Sequence, residues 1–201
     1  MAIGDAYATA AEYRAVTGMI DTSQDTAILN SLKSISRHVE FKTRRFFTKD
    51  TADQTRVYVV PADCSALWID DLSVAPTSIK VDEDLDGVYE VTLSATDYEL
   101  WPRNALLEPE PRPFMQICLT PWGDRTTFTK GERVQVVGKF GWPTVPESIK
   151  QATIHLAAIL RLESPRATTR IPEMGDVIGT SPEAQHILRQ IVDKYKRRNY
   201  Q

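Results

Sequence analysis

Hydrophobic positions change their period twice along the chain, and the two changes set out the expected architecture. Thr9 and Glu12 stand at capping-box spacing and predict a helix over Ala10 to Val16, stopped by Gly18. Beyond Asp21-Thr22-Ser23, apolar residues at Ile28, Leu29, Leu32, Ile35, Val39 and Phe46 recur at three and four, the stripe of a long amphipathic helix. From Thr55 to Trp142 the runs are short, β-branched or aromatic, and separated by turn residues. Strands are predicted at Arg56–Val60, Ala66–Ile69, Ser78–Val81, Val88–Leu93, Tyr98–Leu100, Met115–Leu119 and Arg133–Val137, which implies a small sandwich or barrel. Pro109, Pro111 and Pro113 exclude a central strand between two of these, because proline supplies no ladder donor. After Pro146 the helical period returns at Ile149, Ala152, Leu156, Ile159 and Leu160, and ends near Ser164-Pro165. Residues 166–180 show no period and read as a long loop. Ser181-Pro182-Glu183 then opens a last helix with its stripe at Ile187, Leu188, Ile191, Val192 and Tyr195.

The expected fold is therefore α+β: a helical bundle formed by the N- and C-terminal helices, with an inserted antiparallel β-region. By this reading 1–54 and 143–201 form one body and 55–142 is the insertion. Gly141, Trp142, Pro143 and Pro146 mark the exit from the β-region into the second helical segment.

Composition narrows the classes of function. Of the 201 residues, 42% are hydrophobic and 25% charged, enough for a sizeable core. Lys plus Arg number 24 and Asp plus Glu 27, a net charge of −3, so no strong overall field draws the chain to nucleic acid or membrane. The N-terminal stretch has neither a basic start nor a long apolar run, which reads as no signal peptide and no membrane span, and as synthesis in a cytoplasm. Cys64 and Cys118 sit in apolar, strand-like contexts that fit free thiols better than a disulfide.

Candidate chemistry is sparse. Asp82, Asp84, Asp86 and Gly87 match the first, third, fifth and sixth positions of an EF-hand calcium loop. The twelfth position is Leu93 rather than a glutamate, and the flanks read as strands, so a hairpin turn at Asp86-Gly87 is the better reading, with a weak cation site as the alternative. His38, His155 and His186 each fall in a predicted helix without a partner at ligand spacing. No nucleophile elbow, phosphate loop or dinucleotide fingerprint occurs. The reading thus assigns no catalytic residue, no metal ligand and no cofactor.

Two basic clusters stand out. Lys42, Arg44 and Arg45 close the long helix, where cations complement the helix dipole, and a nucleic-acid contact is the alternative. Lys194, Lys196, Arg197 and Arg198 cluster near the end of the sequence, with Tyr195 and Tyr200 among them. That group suits a solvated helix end or a clamp on an anionic partner, protein or nucleic acid.

The chain as a whole resembles the head-tail connector proteins of tailed bacteriophages, also called adaptor or head-completion proteins. The resemblance lies in the long helix ending in Arg44-Arg45-Phe46-Phe47, in LWIDDLSVAPTSIKVDEDLDGVYEVTLSATDYELWPRNA, and in VQVVGKFGWPTVPESIKQATIHLAAIL. In the last of these, Gly141-Trp142, Val145-Pro146, Lys150 and Ala152 follow the family's pattern of a strand, Gly-aromatic, Val-Pro, a basic residue and an alanine-rich helix. The resemblance implies a structural virion protein of the neck, not an enzyme. It further implies a homo-oligomeric ring, usually of twelve copies, between the portal protein and a stopper or tail protein, with DNA passing non-specifically through the lumen. A tail-completion or other tail component, and a nucleic-acid-binding module, are the rival readings. The expected portal or partner interface is Ile171, Met174, Val177 and Ile178 in the loop, with Lys194, Lys196, Arg197, Arg198 and Tyr200 in the basic end.

Overall fold

The computed structural model describes residues 5–163 and 181–197. The fold is α+β, with four helices and seven strands among these residues. They divide into two compact units, one spanning Thr48–Thr144 and the other combining 5–47 with 145–163 and 181–197.

In the helical unit, α1 (Ala10–Thr17) opens with the capping box of Thr9 and Glu12 and closes on Gly18 in the left-handed region. Helix α2 (Asp25–Thr43) buries Ile28, Leu32, Ile35 and Val39, and packs on α3 (Glu147–Glu163) and α4 (Pro182–Tyr195). Helix α3 begins directly after Pro146 and buries Ile149, Ala152, Ile154, Leu156 and Ala157. The hydroxyl of Ser181 accepts the Ala184 N–H at the start of α4, with Pro182 in the first turn, where its missing donor costs nothing. The expected stripe of α2 needs two corrections. Leu29 is 36% exposed, and Phe46 lies beyond the helix, because Arg44 takes a left-handed conformation (φ 55°) that ends α2 and sends Phe47 inward instead.

In the β unit, one sheet has the order β1-β7-β3-β4, formed by β1 (Gln54–Val59), β7 (Arg133–Gly138), β3 (Ser78–Asp82) and β4 (Val91–Thr92). The other has the order β2-β6-β5, formed by β2 (Ala66–Leu72), β6 (Phe114–Leu119) and β5 (Tyr98–Trp101). All ladders are antiparallel. Alternation aims Ile79, Val81, Val134 and Val136 of the first sheet at Leu67, Ile69, Ile117 and Leu119 of the second, giving one shared core. The sheets keep their edge strands, so the barrel alternative is ruled out.

The strand expected over Val88–Leu93 shrinks to Val91–Thr92. Its approach is taken up by a wide loop, in which the Asp82 carboxylate accepts the N–H groups of Leu85 (2.7 Å) and Gly87 (3.2 Å) in place of a tight two-residue turn. Gly141 shows why the segment after β7 is so sharply punctuated. Its φ is +98°, its N–H reaches the Asp71 carbonyl at 2.8 Å, and a Cβ there would lie 1.9 Å from the Thr48 carbonyl oxygen. Only glycine fits this crossing.

Candidate docking surface

The final turn of α2 and the final turn of α4 meet. The Arg197 N–H donates to the Thr43 carbonyl at 3.0 Å, and the rings of Phe47 and Tyr195 pack edge-on with centroids 5.3 Å apart. Tyr7 also packs edge-on against Phe47, with centroids 5.7 Å apart. The two basic clusters, 150 positions apart in sequence when counted from Arg44 to Lys194, therefore become one. Lys42 and Arg44 from the end of α2 share a surface with Lys194, Lys196 and Arg197 from the end of α4, and Arg45 lies beside them half-buried.

This surface is aromatic as well as basic. Phe41 is 77% exposed and Phe46 44% exposed, and the Lys42 Nζ lies 5.9 Å from the Phe41 ring centroid. The Lys194 Nζ sits 4.8 Å from the Tyr195 centroid, while the Tyr195 hydroxyl and Ser148 Oγ share a 2.7 Å hydrogen bond. The nearby carboxylate of Glu40 is turned away from the surface into the unit. It accepts from the Tyr7 hydroxyl and pairs with Arg37 at 2.7 Å. Burial holds the Glu40 carboxyl above the ordinary glutamate range, and the same burial, reinforced by Glu40, raises the Tyr7 phenol. Cations thus gather at two helix C-termini, where the dipoles favour them.

Of the interface residues read from the sequence, Lys194, Lys196 and Arg197 fall on this surface. Ile171, Met174, Val177, Ile178, Arg198 and Tyr200 lie outside the described residues. The sequence reading missed that the α2 and α4 clusters combine and that Phe41 joins them. A run of apolar and basic residues at the ends of two helices was the available signal, but it does not say that the ends touch.

The acidic loop gains one member over the sequence reading. Asp82, Asp84, Asp86 and Glu90 each place a carboxylate oxygen within 4.8 Å of the others. Asp82 is fully buried and spends its oxygens on loop N–H groups; Asp84 and Asp86 likewise accept from the N–H groups of Asp86 and Val88. The loop's own backbone accounts for three of these four carboxylates, and no ion site is assigned to it. Cys64 and Cys118 are free and partly buried, and burial pushes both thiols up, which favours the protonated form. None of the helices among the described residues is long and apolar enough to cross a membrane.

No family model matches the chain, and no curated protein matches it. Solved structures do. A chain from the neck of an empty GTA particle, computed with C6 symmetry, is 16% identical, with a TM-score of 0.52 over 90% of this chain and 87% of its own length. A chain from the virion of the native gene transfer agent (GTA) particle is 16% identical, with a TM-score of 0.49 over 96% and 90%. One from the neck of the native GTA particle, computed with C12 symmetry, is 18% identical, with a TM-score of 0.45 over 90% and 86%. The first of these likenesses is one of fold, extending over nine-tenths of the chain.

Proposed function

We propose that this protein is a structural component of a virion neck, a head-tail adaptor. As a homo-oligomeric ring, of twelve copies by the family resemblance, it would join the portal of a DNA-filled head to a stopper or tail protein. The observation that carries this reading is the fold shared over 90% of the chain with a chain from a particle neck. The connector-like sequence pattern supports it from an independent direction. No reaction forms part of this role, and DNA would pass through the lumen without sequence-specific contact.

The surface formed by Lys42, Arg44, Lys194, Lys196 and Arg197 is assigned to the portal side, together with Arg198, Tyr200 and the apolar Ile171, Met174, Val177 and Ile178. Exposed cations flanked by exposed aromatic rings suit an acidic protein surface, where charge sets orientation and rate and the rings supply burial. Lys194→Glu with Lys196→Glu reverses charge at two exposed positions. Binding to purified portal rings should weaken at least about tenfold and lose most of its dependence on salt. Unchanged binding would reject this surface as the portal contact.

The same surface favours one second reading, a nucleic-acid-binding module. It predicts a shift of DNA mobility at micromolar protein that declines steeply with salt and disappears in the same double variant.

A further inference from the structure

The β unit turns two unlike faces outward. On the sheet β1-β7-β3-β4, register aligns Val57 with Gln135 and Lys80 in one row, and Val59 with Arg133 and Asp82 in the next. An antiparallel sheet with one face on the core ordinarily places polar residues on the other. Here Val57 is 49% and Val59 63% exposed, on an edge strand, beside two cations. Lys80 has no ion pair among the described residues, and the Arg133 guanidinium stands 3.8 Å from the Asp82 carboxylate.

The opposite sheet shows a different chemistry. Trp68, Gln116 and Trp101 form one row straight across β2, β6 and β5, and Ala66, Cys118 and Glu99 form the row beside it. Trp68 is 37% and Trp101 51% exposed. Two tryptophans on alternate strands of a three-stranded sheet stand about 10 Å apart, the width of two strand spacings, with an amide between them.

We propose that these faces are the two halves of one heterologous contact between copies of this chain: the Val57, Val59, Lys80 and Arg133 face of one copy seats on the Trp68, Gln116 and Trp101 face of the next. The first face offers a lysine with no ion pair among the described residues, and the second offers two partly exposed indoles. Cations gain over the face of an indole, and tryptophan with arginine dominates the energetics of protein contacts. On the tryptophan side the Glu99 carboxylate is ion-paired with Arg103. Like faces would instead set Lys80 and Arg133 against their own copies. Two different patches that match each other generate a ring when the rotation closes, so the contact deepens, and rests on, the ring reading above. The contact gains from closure around a ring, where each copy makes it once with each neighbour.

The test uses two full-length variants. Val57→Asp with Val59→Asp spoils the first face and leaves the tryptophans; Trp68→Ser with Trp101→Ser does the reverse. Nitrogen-15-labelled Val57→Asp/Val59→Asp protein is titrated with unlabelled Trp68→Ser/Trp101→Ser protein, and the indole N–H resonances are followed. The indole signals of Trp68 and Trp101 should shift and saturate, whereas adding unlabelled Val57→Asp/Val59→Asp protein should leave them in place. No shift up to about 1 mM, or equal shifts with either titrant, would overturn the proposal. A titrant carrying Lys80→Glu and Arg133→Glu as well as the two serines should bind at least tenfold more weakly; equal binding would likewise overturn the role given to the cations. Absence of shifts in a protein that still joins portal rings would reject this contact and leave the adaptor reading intact. Shifts without portal binding would do the opposite.

Discussion

The two units begin and end their elements by different means. In the helical unit the decisive contacts are mostly local: Thr9 with Glu12, Gly18 closing back on the Arg14 carbonyl, Ser181 with Ala184. In the β unit they reach across the chain. The Phe140 N–H donates to Asp50, 90 positions away, β1 pairs with β7 along its whole length, and Gly141 bonds to Asp71. Local contacts are replaceable one at a time at modest cost, whereas a distant crossing holds several segments together and fails as a whole.

The sharpest way to break the comparison is the same substitution at two glycines of positive φ. Gly141→Ala adds a Cβ 1.9 Å from a carbonyl oxygen at φ +98°, and should cost about 3 kcal/mol or more, enough to unfold the β unit in a denaturant titration. Gly18→Ala has φ +71° with nothing within 4 Å of the new methyl, and should cost only about 1 kcal/mol. Equal losses would remove the distinction.

Tyr7→Phe tests one distant tie of the helical unit. The Tyr7 hydroxyl serves Glu40 and accepts the Phe47 N–H at 3.1 Å, 40 positions away. Its removal leaves a buried carboxylate short of a donor and should lower stability by about 2 kcal/mol, measured by chemical denaturation.

Glu40 also gives that unit a pH dependence. Its folded carboxyl sits above the ordinary value of 4.5, chiefly through burial, so just above that pH the folded state holds more protons than the unfolded chain. Stability should therefore fall as pH rises from 4.5 through the folded value, and Glu40→Gln should flatten this part of the profile. Glu12 acts with the opposite sign. Its carboxyl is held down first by the Thr9 N–H, so its contribution is present above 4.5 and fades as pH falls below that. Melting curves across this range separate the two. A small effect is also expected for Thr9→Ala, which loses the bond from the Glu12 N–H and the hydroxyl's own bond to the Glu12 carboxylate, and should cost about 1 kcal/mol.

The same division explains what could be read from the sequence. Capping residues, the start after Pro146 and the seven strand positions were legible, because periodicity and caps are local signals. The length of β4 was not: Val88–Leu93 has strand composition, yet the Val88 N–H goes to the Asp86 carboxylate and only Val91 and Thr92 pair with β3. Sheet order and the choice of sandwich over barrel depend on pairings between segments that no local pattern specifies. The basic surface was half legible. Lys194, Lys196 and Arg197 were marked by charge, but their union with Lys42 and Arg44 depends on how α2 and α4 pack, through Phe47 and Tyr195. Phe46 was expected inside and Phe47 went there instead, because one left-handed residue, Arg44, reverses which ring points inward.

The most direct test of the adaptor role is native mass spectrometry of the purified protein, alone and mixed with the portal protein encoded in the same genome. The account predicts a complex carrying about one copy per portal subunit, as closed cyclic symmetry requires. No association at any salt concentration would contradict it and direct the search for a partner to the tail.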